Sequence, residues 1–269
     1  MPSDPIALIA GNGIYPETFV AAARKAGVKR LVAAAFTGET KTDLAEKVDA
    51  IEWFRVGQLS KMISFFQREG VKKVVMVGQI APRNLFDLRP DLRTLMMLAR
   101  LKQRNAETLF GGIASELAKD GIELRPATTF LEALLPAAGL VAGPSIKKRR
   151  WEDAAYGFKI AKETSRLDIG QTVVVKNGTV LAVEAFEGTN ETLKRGGALG
   201  RGHATMAKVS KPDQDRRFDV PVIGPDTIST AAAAGVDVIS IEAGNTLLLG
   251  KEQIMRSCAE LQVTLVALD

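Results

Sequence analysis

The chain has 269 residues, 46% of them hydrophobic, with a formal net charge of +5 and a pI near 9.3. That length and apolar content suit one large folded domain or two smaller ones. No run of about 18 apolar residues is present, nor a basic segment leading into an apolar run with a small-residue cleavage site; this excludes a helical membrane span and a signal peptide and predicts a cytoplasmic protein.

Ile6 to Ala10 is a short apolar run leading into Gly11-Asn12-Gly13, Pro16 and the apolar-periodic Phe19 to Lys25: strand, tight turn, helix. The alternation continues with Arg30 to Phe36 as strand, Leu59 to Glu69 as helix and Val71 to Val77 as strand, ending at Gly78. Strands alternating with helices predict an open parallel sheet with right-handed crossovers, and ligands beyond the carboxyl ends of its strands. Past Pro82 and Pro90 come two helices, Leu92 to Leu101 and about Ala106 to Lys119, then strand-like Ile122 to Arg125 and helix-like Phe130 to Leu135. Pro136, Gly139, Gly143, Pro144 and the basic run Lys147-Lys148-Arg149-Arg150 mark a domain boundary. The basic run reads as a solvated linker rather than a nucleic-acid or membrane contact, because no recognition motif or aromatic platform accompanies it.

Downstream lie a helix from Glu152 to Arg166 and a hairpin, Thr172 to Val175 and Thr179 to Glu184, joined by Asn177-Gly178. Then follow helix-like Glu191 to Lys194, strand-like Ala204 to Val209, a loop from Lys211 to Gly224, helix-like Ile228 to Ala234, strand-like Val236 to Glu242, and a last helix and strand ending at Leu268. The expected fold is therefore two α/β domains: residues 1–140, a Rossmann-like open parallel sheet, and residues 151–269, a smaller mixed α/β domain carrying an acidic loop.

Three segments could carry chemistry. Gly11-Asn12-Gly13 could hold a phosphate on backbone N–H groups at a helix start. It lacks the third glycine of a dinucleotide fingerprint and any Walker lysine, so a plain tight turn fits equally well. In Glu184-Ala185-Phe186-Glu187-Gly188-Thr189-Asn190, carboxylates at i and i+3 could bind a divalent ion or polarise water, with helix capping by Thr189 or Asn190 as the competing account. The run Lys211-Pro212-Asp213-Gln214-Asp215-Arg216-Arg217-Phe218-Asp219 crowds three carboxylates and three cations before the apolar Val220 to Gly224, which could hold Asp219 rigidly; Asp226 reads as a helix cap. His203, the sole histidine, excludes a multi-histidine metal site and reads as a loop residue; Cys258, the sole cysteine, reads as a small buried hydrophobe.

Taken in order, Ile9-Ala10-Gly11-Asn12-Gly13 with Pro16, Val77-Gly78-Gln79-Ile80, Leu167-Asp168-Ile169-Gly170-Gln171, Leu181 to Thr189, Lys211-Pro212 with Gln214, Arg217 and Asp219, and Pro221 with Ile223-Gly224 resemble the LpxI-type UDP-2,3-diacylglucosamine pyrophosphatases of Gram-negative lipid A biosynthesis. The resemblance implies two α/β domains with the lipid product enclosed between them, hydrolysis of the substrate pyrophosphate to UMP and 2,3-diacylglucosamine 1-phosphate, a divalent cofactor (Mg²⁺ or Mn²⁺), a homodimer, and a catalytic aspartate at Asp219. On that basis Asp219, with Glu187 or Asp215, would hold the metal. Lys211 and Arg217 would neutralise phosphate oxygens, and Gly11, Asn12, Gly13 and Gln79 would hold the nucleotide end, with Gln171, Thr189 and Gln214 as further substrate contacts. The substrate class brings peripheral contact with the inner-membrane surface into the expectation, and no nucleic acid. Departures from the family pattern fall at Ala106-Glu107, where the family has an Asp-Asp pair, and at Asn190, where it has Asp. They keep open a non-catalytic relative that binds a nucleotide sugar or lipid phosphate; a dinucleotide-dependent oxidoreductase is suggested only by the glycine turn.

Overall fold

A computed structural model describes residues 4–80, 90–103, 105–212 and 214–269, so Pro82 and Asp213, singled out above, lie outside the described residues. These residues form two compact units, one within Met1–Leu131 together with Asp215–Asp219, the other within Glu132–Gln214 and Val220–Asp269.

In the first unit, strands β1 (Ile6–Ala10), β2 (Leu31–Phe36), β3 (Ala50–Phe54), β4 (Lys73–Val77) and β5 (Glu123–Arg125) form one parallel sheet in the order β3-β2-β1-β4-β5. β1 and β2 are buried along their whole length, which is why they read as continuous apolar runs. Among its described residues are the α-helices α1 (Tyr15–Lys25), α2 (Leu59–Arg68), α3 (Leu92–Arg100) and α4 (Ala106–Lys119). α1 starts with Pro16 in its first turn and carries Arg24 and Lys25 in its last, matching the helix dipole at its C-terminal end. The carboxylate of Asp91 accepts from the backbone N–H groups of Thr94 (2.8 Å) and Ser60 (2.6 Å), so one side chain caps α3 and ties it to the start of α2. Phe54, Ile63, Phe66, Val74 and Leu117 lie in the core beneath them.

In the second unit β6 (Gly139–Ala142), β7 (Thr172–Lys176), β8 (Thr179–Val183), β9 (Ala204–Lys208), β11 (Val236–Glu242) and β13 (Thr264–Leu268) form a mixed sheet in the order β6-β13-β11-β9-β7-β8. β9, β11 and β13 are mutually parallel, while β6, β7 and β8 join antiparallel. A further short parallel pair joins β10 (Val222–Ile223) to β12 (Leu247–Leu248), and β10 lies within the segment expected to be loop. Helices α5 (Lys148–Arg166), α6 (Thr189–Gly200), α7 (Pro225–Ala233) and α8 (Lys251–Glu260) complete the unit.

Residues 139–142 are thus an edge strand rather than linker, and the basic run opens α5. Arg150 is its structural member: its guanidinium reaches the carboxylate of Asp237 and donates to the carbonyls of His203 and Ala204. The hairpin turn is held from α5 as well. Asp153, 3% exposed, accepts from the N–H of Asn177 (2.9 Å) and of Gly178 (2.8 Å). Asp153→Ala would leave two turn N–H groups without their acceptor and is expected to destabilise the protein by about 2–4 kcal/mol. Urea denaturation of the variant checks this; an unchanged midpoint would show that the hairpin holds itself.

Candidate functional site

The polar residues gather at the carboxyl ends of the parallel strands in each unit, where open α/β sheets place their ligands. In the first unit the turn after β1 and the turn after β4 meet directly. Asn12 N–H donates to Gln79 O (2.7 Å), and Gln79 N–H donates back to Asn12 O (3.2 Å), a two-bond bridge between the adjacent strand ends. Backbones approach this closely only because both flanking residues lack a side chain: a Cβ on Gly11 would lie 2.5 Å from Gln79 O, and one on Gly78, whose φ is +94°, would lie 2.7 Å from Asn12 O. The structure therefore brings Gly11, Asn12, Gly13 and Gln79 together. It also uses the turn's donors internally, since Gly11 N–H bonds Val77 O (2.8 Å) and Gly13 N–H bonds the Asn12 side-chain oxygen (2.6 Å). A phosphate here would have to be met by side chains or by the first turn of α1.

The same unit holds the tight turn Asp215–Asp219, closed by Asp219 N–H to Asp215 O (3.0 Å). It is anchored by Phe218, whose ring centroid lies 5.5 Å from that of Phe110, and by Ala127 N–H donating to Arg216 O (2.9 Å). The Arg217 guanidinium grips Asp215 with both prongs, at 2.9 Å to Oδ1 and 2.6 Å to Oδ2, and holds its carboxyl below the usual carboxylate range.

In the second unit Gln171, Thr172, Glu184, Thr189, Lys208, Ser210 and Lys211 share one end of the sheet, because Thr172 is in register with Lys208 and Glu184 N–H bonds Thr172 O (2.8 Å). Thr189 is the first residue of α6, with Gly188 at the N-cap, so neither Thr189 nor Asn190 caps it. Its hydroxyl instead donates to Glu184 Oε1 (3.0 Å). Likewise Gly224 is the N-cap of α7 and Asp226 sits inside the first turn. Glu187 accepts from Ala185 N–H (3.1 Å) and the Arg195 guanidinium (2.6 Å), the latter being the main cause of its lowered pKa. Lys211 pairs with Asp168, and Gln214 accepts from Lys211 N–H (2.8 Å). Sequence reasoning missed Thr172 and Lys208, whose signal is only their position at strand ends.

Behind this cluster Glu242 accepts from Lys162 (2.7 Å) and from the N–H (2.9 Å) and hydroxyl (2.5 Å) of Ser210. Burial works to raise its pKa, but these donors together outweigh it and hold the carboxyl below its ordinary value. A depressed folded pKa contributes stability that is present above the unfolded value, about 4.3, and is lost as pH falls through the folded one. Wild type is accordingly expected to lose more of its urea midpoint on acidification below about pH 4.3 than Glu242→Gln does. Parallel loss in the two proteins would show that this network does not govern acid stability.

Asp215, Asp219 and Glu187 offer the hard oxygen donors that Mg²⁺ and Mn²⁺ take. Asp215 and Glu187 are each bound to a guanidinium, and among the described residues no three His, Cys, Asp or Glu side chains are grouped to hold a metal ion. His203 Nδ1 lies 2.7 Å from Asp237 Oδ2, and Cys258 is fully buried, its thiol pKa pushed up to about 11.

Two α/β units with polar residues at the strand ends define the class. Its two halves match family models described as the LpxI N-terminal domain, over residues 5–134, and the LpxI C-terminal domain, over residues 137–266. Over an alignment of 279 positions the chain is 31% identical to a protein of Caulobacter vibrioides named UDP-2,3-diacylglucosamine pyrophosphatase LpxI, covering 98% of this chain and 97% of that one. The chain belongs to the LpxI family. Among solved structures it is similar to CobK precorrin-6A reductase (11% identity, TM-score 0.32, covering 99% of this chain and 87% of that one). It is also similar to the biotin carboxylase subunit of pyruvate carboxylase (14% identity, TM-score 0.27, covering 66% of this chain but only 35% of that one). Scores this low carry no inference about function.

Proposed function

We propose that the protein hydrolyses the phosphoanhydride of UDP-2,3-diacylglucosamine, releasing UMP and 2,3-diacylglucosamine 1-phosphate for lipid A biosynthesis. The observation that carries this is the full-length 31% identity to the Caulobacter vibrioides pyrophosphatase, which spans both units. Asp219 is the residue assigned to the chemistry. Lys211 and Arg217 neutralise phosphate oxygens once the substrate draws them from Asp168 and Asp215, an exchange of one anion for another.

Dependence on Mg²⁺ or Mn²⁺ is a further proposal, with Asp219, Asp215 and Glu187 as the oxygen donors. A bound dication would screen the pyrophosphate charge.

Contact with the substrate's membrane would be peripheral, since no helix among the described residues is long and apolar enough to cross one. The outward stripe of α3, Leu92 (73% exposed), Leu95 and Met96, supports such contact, as it lies opposite the buried Thr94 and Met97. Sedimentation with anionic phospholipid vesicles tests it, and a protein that stays in the supernatant would remove it.

The deciding experiment is release of UMP from UDP-2,3-diacylglucosamine by the folded protein with Mg²⁺, with Mn²⁺ and with chelator. Release in all three conditions would retain the hydrolase and reject the metal. No release, with substrate still bound, would favour the non-catalytic reading raised by Ala106, Glu107 and Asn190.

A further inference from the structure

The second unit contains a buried carboxylate that is only half used. Glu184 follows β8, is 8% exposed, and gives Oε1 to the Thr189 hydroxyl at 3.0 Å. Its Oε2 is buried without a hydrogen-bond partner. Burying a polar atom unpaired is costly, and a carboxylate more so than a neutral group, so native structures rarely do it unless a ligand or ordered water completes the bond. Gln171 repeats the pattern next to it: its side-chain oxygen is also buried and unpartnered. Both neighbours of Gln171 touch Glu184, Thr172 through the bond from Glu184 N–H and Gly170 through a backbone so close that a Cβ would stand 2.0 Å from Glu184 O.

We propose that Glu184 is a substrate-recognition residue whose Oε2 accepts a hydrogen bond from a neutral donor of the nucleotide sugar, a hydroxyl or an amide N–H, with Gln171 as the second acceptor. Charge at the site decides against a cation. The Lys208 ammonium lies 3.4 Å from the same Thr189 hydroxyl that Glu184 binds, so a dication would meet a like charge, and among the described residues no group of three His, Cys, Asp or Glu side chains able to hold a metal includes Glu184. A hydroxyl or amide meets no such repulsion and gains a charge-assisted bond. The inference rests on the proposed substrate, but the donor can come from either half of it: the ribose and uracil of the uridylate, or the hydroxyls and amide of the acylated glucosamine.

Glu184→Gln separates the possibilities. Thr189 needs an acceptor, so the amide oxygen takes the place of Oε1 and the NH₂ group takes that of Oε2, setting donor against donor. Hydrolysis of UDP-2,3-diacylglucosamine should show KM raised by about ten- to a hundredfold, with kcat changed far less. Titration with UMP and with 2,3-diacylglucosamine 1-phosphate separately should show the loss for one product, which identifies the half that carries the donor. Circular dichroism and thermal unfolding establish that the variant is folded, and Glu184→Ala, which removes the acceptor without adding a donor, should weaken the same product. Unchanged KM and product affinities in a folded variant would overturn the proposal, as would a fall in kcat with KM unchanged, which would move Glu184 into the chemical step. If wild type releases no UMP, the hydrolase reading fails, while the two product titrations still judge Glu184.

Discussion

Asp219→Ala should lower kcat/KM for UDP-2,3-diacylglucosamine by about a thousandfold or more while leaving thermal unfolding close to wild type. The turn that carries Asp219 is fastened by other groups: the backbone bond from its own N–H to Asp215 O, the bond from Ala127 N–H to Arg216 O, and the tilted contact of the Phe218 ring with Phe110. None of these fastenings runs through the carboxylate, so the turn is expected to survive its removal. Asp219→Asn, which keeps the shape and removes the charge, should lose nearly as much. UMP release measured beside a melting curve distinguishes the outcomes. Unchanged turnover removes Asp219 from the mechanism, and a collapsed melting temperature would make it a structural residue.

Gly78→Ala should be the most damaging small substitution in the first unit. Two costs combine. A residue with a side chain is disfavoured at a φ of +94°, and the new Cβ would sit 2.7 Å from Asn12 O and 2.9 Å from the Gly11 carbonyl carbon. Neither contact is with a flexible side chain, so relief requires parting the two turns and breaking the bonds between Asn12 and Gln79. Destabilisation of about 3 kcal/mol or more is expected, with loss of UMP affinity if the uridylate binds at this corner. Gly13→Ala is the control: its φ is +92° but nothing lies within 4 Å of the added Cβ, so it carries the conformational cost without the collision. Equal losses in the two variants would show that the close approach of the turns is unimportant.

The parallel first sheet was legible because its central strands are buried on both faces and appear as unbroken apolar runs. β3 escaped notice for the opposite reason. It is an edge strand, Ala-Ile-Glu-Trp-Phe, mostly half-exposed, with Glu52 reaching outward to Arg68. The two-residue strands β10 and β12 are too short for any periodicity to show. Helix starts at Thr189 and Asp226 were misjudged by one or two positions because glycine, which offers no side-chain acceptor, occupies both N-caps. At the candidate site the individual residues could be read, but their grouping could not. Glycines 11 and 78 are far apart in sequence, and only the strand order β1-β4 makes them neighbours. Asp215–Asp219 sits among residues of the second unit in sequence but packs with the first; its one local sign is Phe218, a lone aromatic among charges.

That detour has a consequence for how the protein is made. The first unit's core receives Phe218, and Ala127 receives its hydrogen-bonding partner, only after the ribosome has added roughly ninety residues beyond Leu131. At bacterial and eukaryotic elongation rates of about 5–20 residues per second, that delay is on the order of 4–18 s. During that interval the amino-terminal half has all five strands of its sheet in hand but lacks Phe218 for its core. A gene fragment ending near residue 134 would lack Phe218 and the partner of Ala127 altogether.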